Sequence, residues 1–321
     1  MTMMLLTSED VGAPTLNGVN GALTALLRWA LVQNGWAVEY GPTGNAAVFR
    51  AGSGNRHRLH VNHDNTVSGS AALALVRGCE DASSATALVD PFPTITQVAN
   101  NLCNWYVSQT ANSTARRWKI LLHPTFFVLL IETNSNGEWD MNFFGDPGGI
   151  DPADTYACAI SVRNTSNVGS TSYHWAYNLA AQVYPGGLSF ANTKLWWCRD
   201  ESGLVKSSKG SVGTMGSNYG FVTNAPAALG GYGNRLEREK VYLNCAADPS
   251  NSGNGLAVRA KRGWIPNVYS PVHSSYAAVQ SEDTFGDSDY DPSAEFMFLR
   301  IYTTSYGNII ETTDTWSPPS G

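Results

Sequence analysis

Three histidines stand close together in the chain and raise the question of a metal site. His57, His60 and His63 fall in a segment whose apolar residues alternate as in a β-strand. In a strand, His57 and His63 share one face about 20 Å apart, whereas His60 points to the other face. Because imidazole nitrogens bind zinc at about 2.0–2.1 Å, one ion cannot reach all three. The spacing predicts structural or surface histidines, and we expect no metal site.

An acidic segment at 282–291 is the densest cluster of charge. The 1-3-5 spacing of an EF-hand loop is matched by Asp287, Asp289 and Asp291. That loop also requires Gly at its sixth position and Glu at its twelfth, where this chain has Pro292 and Phe298. Two alternatives stay open for the segment: a weak calcium site of another kind, or a solvated or interface loop.

Motifs for nucleophilic or nucleotide chemistry are absent from the sequence. It contains neither the G-x-S-x-G motif of α/β-hydrolases nor the G-K-[ST] end of a P-loop. Glycine-rich segments at 51–55 and 230–233 lack the strand–glycine–helix context of a dinucleotide loop and are interpreted as turns. The candidate carboxylates for a glycoside-hydrolysis pair are Glu132, Glu138, Asp140 and Asp146, and such pairs are a weak indication in any chain of this length. We therefore expect no enzymatic activity and no cofactor.

Large aromatic residues are the remaining candidates for function. Trp and Tyr are enriched where proteins contact one another, because a large ring buries much apolar surface. The candidate interface anchors are Trp196, Trp197, Trp264 and Trp316. Two other interpretations stay open for them: packing in the core of the chain, and a platform on which a sugar ring stacks.

Five cysteines are scattered along the chain without a C-x-x-C pair: Cys79, Cys103, Cys158, Cys198 and Cys245. The odd number and the spacing argue against a disulfide framework and against a structural zinc site. We expect reduced and mostly buried thiols.

Composition excludes several classes of protein. Charged residues make up only 14% of the 321 residues, against roughly 25% in an average soluble domain. The net charge of −6 and the total of 20 Lys and Arg argue against direct binding of nucleic acid. The absence of a run of 18 apolar residues argues against a membrane span. Low charge with 43% apolar residues suits a chain whose surface is covered by neighbours in an assembly.

Hydrophobic periodicity predicts an α+β, β-rich fold with an N-terminal helix and a mostly antiparallel sheet. Within residues 15–36, apolar residues recur at i, i+3, i+4 and i+7, with Asn20 as the expected N-cap and Asn34-Gly35 as the end. A second helix is predicted over 94–107. Strands are predicted at 36–40, 46–50, 58–62, 71–77, 118–122, 126–132, 139–144 and 156–162.

A loss of pattern after residue 165 predicts two domains. We expect an α+β domain at 1–186 and a β-rich domain at 187–321, with Gly/Ser-rich loops at 207–218 and 225–234. Strands of the second domain are predicted at 194–198, 240–245, 256–262, 296–303 and 308–311.

Short motifs follow a fixed order along most of the chain. The first half carries VGAPTLNG at 11–18, QNGW at 33–36, AVFR at 47–50, GNR at 54–56, LVRGCE at 75–80, PFPT at 91–94, RWKI at 117–120, FFVL at 126–129 and FFGD at 143–146. The second half carries RGWIP at 262–266, SPVH at 270–273, IET at 310–312 and DTW at 314–316. Together they resemble a class of tailed-bacteriophage virion structural proteins.

The resemblance implies a homo-oligomeric structural protein that packs on other virion proteins. It would be located in the virion after synthesis in the host cytoplasm. A tail or baseplate component is the first expectation. The alternatives are a capsid-decoration (minor head) protein and a glycan-binding module at the tail tip. The resemblance brings no catalytic, cofactor-binding or metal-binding residues with it.

Overall fold

The computed structural model describes residues 3–64, 71–94, 96, 103–132, 139–151, 153–162, 195–199, 203, 205–208, 238–245, 260–271, 281–287, 291–302 and 306–313. Within these ranges the chain is β-rich and its sheets are antiparallel, which confirms the predicted fold class. The helix is α1 (Ala22–Leu31), followed by a 3-10 turn (Val32–Asn34). The strands are β1 (Met4–Thr7), β2 (Ala37–Tyr40), β3 (Ala46–Arg50), β4 (Arg58–Asn62), β5 (Ala72–Cys79), β6 (Asp81–Ala82), β7 (Leu88–Val89), β8 (Asn104–Ser108), β9 (Trp118–Leu122), β10 (Phe126–Glu132), β11 (Trp139–Gly145), β12 (Ala159–Val162), β13 (Leu195–Arg199), β14 (Val205–Ser208), β15 (Arg238–Cys245), β16 (Ala260–Pro271), β17 (Thr284–Asp287), β18 (Asp291–Tyr302) and β19 (Tyr306–Glu311).

Helix α1 forms where the apolar stripe was predicted, and it buries Leu23, Leu26, Leu27, Ala30 and Leu31. Its N-cap is Gly21, with φ of +81°, so the prediction of Asn20 is wrong. The first turn of the helix is bonded instead by the residue that directly follows β4, because the backbone N–H of Leu23 donates to Nδ1 of His63 at 3.2 Å. The 3-10 turn ends at Gly35, which has φ of +83° and confirms the predicted stop.

A five-stranded sheet follows the helix, in the order β2-β3-β4-β5-β8. The prediction of a second helix over 94–107 is wrong where those residues are described, because β8 pairs with β5. The apolar residues here fit a strand as well as a helix, and the alternate positions Trp105 and Val107 enter the core. The ladder to β5 and this burial decide in favour of the strand.

A seven-stranded sheet forms the centre of the fold, in the order β1-β9-β10-β11-β12-β13-β14. Strand β10 carries six consecutive buried apolar residues rather than an alternation of apolar and polar ones. Phe127, Leu129 and Ile131 pack with the helix and the five-stranded sheet. The residues between them pack into a second cluster on the opposite face. Burial on both faces therefore explains why the sequence of β10 is a continuous apolar run.

The second face is covered by a third sheet, in the order β15-β16-β19-β18-β17. Residues from both sheets share one apolar cluster, to which the third sheet contributes Ile265, Val268, Leu299 and Ile310. The described part of the chain is thus three layers of antiparallel sheet with the helix against the first. Among the described residues, no helix combines the length and apolar character needed to cross a bilayer.

The predicted domain boundary at 186/187 lies outside the described residues and stays a prediction. The loop predicted at 225–234 also lies outside the described residues. Of the loop predicted at 207–218, the first two residues form the end of β14, and the rest lies outside the described residues. Four of the five cysteines, Cys79, Cys103, Cys158 and Cys198, are free and buried as expected.

Candidate functional site

A cluster of three potential ligands forms where the five-stranded and seven-stranded sheets meet at one end. His57 directly precedes β4, Asp146 directly follows β11, and Cys158 directly precedes β12. One ligand atom from each side chain lies within 4.8 Å of the other two. We call these three residues the His–Asp–Cys cluster.

The Asp146 carboxylate is held in place by a close approach of the backbone. The backbone N–H of Asn55 donates to Oδ2 of Asp146 at 2.9 Å. A Cβ at Gly54 would lie 2.1 Å from the same oxygen, and φ there is +68°. Only glycine lets the turn adopt this conformation and touch the carboxylate.

The segment before Cys158 is fixed by the same turn. The side-chain amide of Asn55 donates to the carbonyl of Asp154 at 3.1 Å and to that of Ala157 at 2.8 Å. Asn55 therefore positions both Asp146, through its backbone, and the chain that leads into Cys158, through its side chain. One turn thus orders two of the three members of the cluster.

The His57 imidazole is buried and kept neutral. His57 is 5% exposed, and its Nδ1 has no hydrogen-bond partner among the described residues. The ring packs edge-on against Phe92, with centroids 5.7 Å apart. Burial, together with the positive charges of Arg199 and Arg58, lowers the pKa of His57 to about 4, and the charge of Asp154 acts against this shift. A neutral imidazole is the form that binds a metal.

The pKa values of the other two members, Asp146 and Cys158, are raised. Burial raises the pKa of Asp146 to about 7, although the Asn55 N–H favours the ionised form. Burial also raises the pKa of the Cys158 thiol well above its ordinary value. Catalytic cysteines have a lowered pKa, because the thiolate is the nucleophile. Cys158 is therefore a protonated thiol at neutral pH and does not meet that requirement by itself.

A polar cavity of about 370 Å³ lies beside the cluster, and His57 belongs to both. Its charged lining residues are Arg50, Arg56, Arg58 and Glu80. Arg58 is ion-paired with Glu39 and, at 3.0 Å, with Asp81. The cavity is thus a small, mostly basic cleft next to a group of nitrogen, oxygen and sulfur donors.

Two of the four predicted aromatic anchors have described side chains. Trp197 is 6% exposed and lies in the core between the seven-stranded and five-stranded sheets. Trp264 is partly exposed, and its backbone exchanges two hydrogen bonds with Gly148, of 2.8 and 3.0 Å. The Trp264 ring covers Gly149, where a Cβ would lie 1.7 Å from the ring carbon Cζ3.

The other two anchors are less completely described. Trp196 lies in β13, opposite Ser161 of β12. Trp316 lies outside the described residues. The role of all four residues as contacts between subunits stays a prediction.

The acidic segment at 282–291 is only partly described. Its first residue, Glu282, lies 2.6 Å from Arg117 and 2.8 Å from Lys119, so its carboxylate is engaged in ion pairs. Asp287 and Asp291 are paired positions of β17 and β18, and Asp289 lies outside the described residues. A calcium site at this segment stays a prediction.

Local spacing gave no indication of the His–Asp–Cys cluster. The histidines nearest to His57 in the sequence are His60 and His63, which are also buried. Its actual neighbours are 89 and 101 positions further along the chain. The one local indication is that His57 and Asp146 both lie beside glycine-containing turns at strand ends.

Comparison with known proteins adds no identification. The chain matches no protein-family model and no curated protein.

Proposed function

We propose that the chain is a bacteriophage virion structural protein, and within the virion a tail or baseplate component. It would act by associating with copies of itself and by packing on other virion proteins. The observation that carries the proposal is the role of the motifs behind the resemblance: several of those that are described contact one another and hold the sheets in place.

The LVRGCE and PFPT motifs form one such contact. Gly78 and Phe92 exchange two backbone hydrogen bonds, of 3.0 and 2.8 Å. A Cβ at Gly78 would lie 2.2 Å from the Phe92 ring, so the glycine makes room for the aromatic side chain. The guanidinium of Arg77 donates to the carbonyl of Pro93. These residues fix a chain crossing.

Other motifs behave in the same way. GNR meets FFGD through the hydrogen bond from Asn55 to Asp146. RWKI and FFVL lie on adjacent strands, where Ile120 pairs with Leu129. RGWIP reaches the segment after FFGD through the two bonds between Trp264 and Gly148. Motifs that hold the sheets together support the proposal of a structural role.

The low charge of the chain supports the same proposal. Only 14% of the residues are charged, whereas the uncharged polar and aromatic content is high. A surface of this kind is covered at low cost, because few ions lose their hydration on assembly. Closed, symmetric contacts between copies are the usual arrangement in such assemblies.

The test is to locate the protein in virus particles purified from the source of the sequence. We expect its peptides in the mass spectrum of the particles, and gold-labelled antibody along or at the end of the tail. Label over the head would favour capsid decoration instead of a tail component. Absence from the mass spectrum of intact, purified particles would refute the virion proposal.

A further inference from the structure

We propose that the His–Asp–Cys cluster binds one zinc ion through His57, Asp146 and Cys158. This inference is independent of the virion proposal, because it concerns a site inside one chain. The chain contains no recognised zinc motif, and none of the five cysteines is part of a C-x-x-C pair.

The chemistry of the donors selects the metal. The cluster offers an imidazole nitrogen, a carboxylate oxygen and a thiol sulfur. Calcium and magnesium prefer oxygen ligands alone, whereas thiolate and imidazole favour zinc among the abundant divalent ions. Zinc sites combine Cys, His and Asp side chains in tetrahedral geometry.

The distances fit with a small adjustment. Donors bound to one tetrahedral zinc ion at about 2.0–2.3 Å stand about 3.4–3.6 Å from one another. In the cluster they already lie within 4.8 Å of one another. An approach of about 1 Å closes the site, which is within the range of small side-chain rotations on a fixed backbone.

The surroundings orient the ligands. The Asn55 N–H holds Oδ2 of Asp146, and the backbone N–H of Gly145 bonds the sulfur of Cys158. Phe92 restricts the His57 ring from one side. Groups of this kind around a metal set the direction of its ligands and stabilise the thiolate. The site is thus positioned by its neighbours before any ion binds.

An independent observation points to a ligand at this place. His57 is 95% buried, and its Nδ1 is without a hydrogen-bond partner among the described residues. A buried polar atom of this kind costs roughly 1–3 kcal/mol when it stays unsatisfied. Coordination of the proposed zinc ion through Nδ1 would give this nitrogen a partner and remove that cost.

The nearby positive charge does not occupy the cluster. Arg199 lies close enough to influence His57 and Cys158. Its guanidinium is already engaged by the Glu80 carboxylate at 3.2 Å and by the carbonyls of Gly203 and Asp90. The three donors thus stay available to a cation of their own.

The ion would join three separate parts of the chain. His57 belongs to the turn that enters β4 of the five-stranded sheet, whereas Asp146 directly follows β11 and Cys158 directly precedes β12 of the central sheet. A zinc ion here ties the two layers together at one end. Three protein ligands leave a fourth position, which a water molecule from the adjoining cavity fills.

The experiment uses the full chain after removal of metal with a chelator. Cobalt(II) serves as the probe, because bound thiolate gives it a charge-transfer absorption band. We expect one equivalent of cobalt per chain with this band, displacement by zinc, and a higher melting temperature with zinc than with chelator. Cys158→Ser is expected to lose the band and the gain in melting temperature.

Cys103→Ser is the matched control. Cys103 is equally buried, but its thiol donates to the carbonyl of Val76 at 2.8 Å, outside the cluster. This variant should keep the band and the gain in melting temperature. A parent chain without the band, or an equal loss of the band in both variants, would overturn the proposal.

Two further substitutions cover the case in which Cys158→Ser does not fold. His57→Gln and Asp146→Asn keep the approximate shape of the side chains, and circular dichroism checks their fold. Each should lower the affinity for zinc more than about 100-fold, beyond the 10–100-fold loss typical of residues that only orient ligands. An unchanged affinity in either folded variant would contradict the site.

Discussion

Lowering the pH from about 7.5 to about 5 should destabilise the fold by about 2 kcal/mol through His60 alone. His60 lies in β4 and is 5% exposed. Burial lowers its pKa to about 4; the Ala85 carbonyl acts against this shift, and the charge of Arg77 adds to it. Arg77 is the residue opposite His60 on β5.

The sign and size follow from the two protonation equilibria. In the unfolded chain the imidazole has its ordinary pKa of about 6.5, so below that pH the unfolded state binds more protons than the folded state. The contribution of the neutral His60 to the free energy of unfolding is therefore fully present above pH 6.5. It falls as the pH drops toward 4, by about 1.4 kcal/mol per pH unit. Between pH 6.5 and 5 the loss is about 2 kcal/mol, a large part of a typical stability of roughly 5–15 kcal/mol.

The assay compares the parent with His60→Gln, which keeps a polar side chain but does not titrate. Urea unfolding is followed by tryptophan fluorescence at several pH values, with chelator present so that no metal binds. Other buried histidines titrate equally in both proteins, so the difference between the two pH slopes isolates His60. Coinciding slopes would show that burial does not keep this imidazole neutral.

Three further predictions concern the contacts between layers. Gly149→Ala should cost about 1–3 kcal/mol in thermal unfolding, because its Cβ would meet Trp264; Gly44→Ala, which also has positive φ but faces open space, should cost less. Glu282→Gln should cost under about 1 kcal/mol, and less at high salt, because its ion pairs beside β9 are partly exposed; an effect insensitive to salt would contradict this. Phe127→Ala should cost about 3–5 kcal/mol in urea unfolding, and Phe127→Leu should cost less, because alanine leaves a larger cavity than leucine at this buried position.

The sequence was sufficient for elements whose side-chain pattern has a single solution. Helix α1 follows from an apolar stripe that fits only a period near 3.6, and its end follows from Gly35. The antiparallel strands β9 and β10 follow from two short apolar runs around His123-Pro124-Thr125. Composition and spacing also predicted the buried free thiols and the β-rich fold class, and they gave the low charge directly.

Tertiary contacts decided the elements whose pattern has two solutions. The segment before Ser108 satisfies a helix or a strand, and pairing with β5 selects the strand. The first turn of α1 bonds to His63, which directly follows β4 and is placed by the pairing of β4 with β3. Neither outcome follows from local preference, because each depends on a partner distant in the sequence.

The His–Asp–Cys cluster shows the same division for chemistry. The sequence predicted strand ends near His57 and Asp146, but it placed Cys158 inside a strand at 156–162, whereas β12 begins at Ala159. Only the packing of the five-stranded sheet on the central sheet brought their donor atoms within 4.8 Å. Spacing along a strand sets which residues share a face, whereas the order of strands sets which residues from different sheets meet.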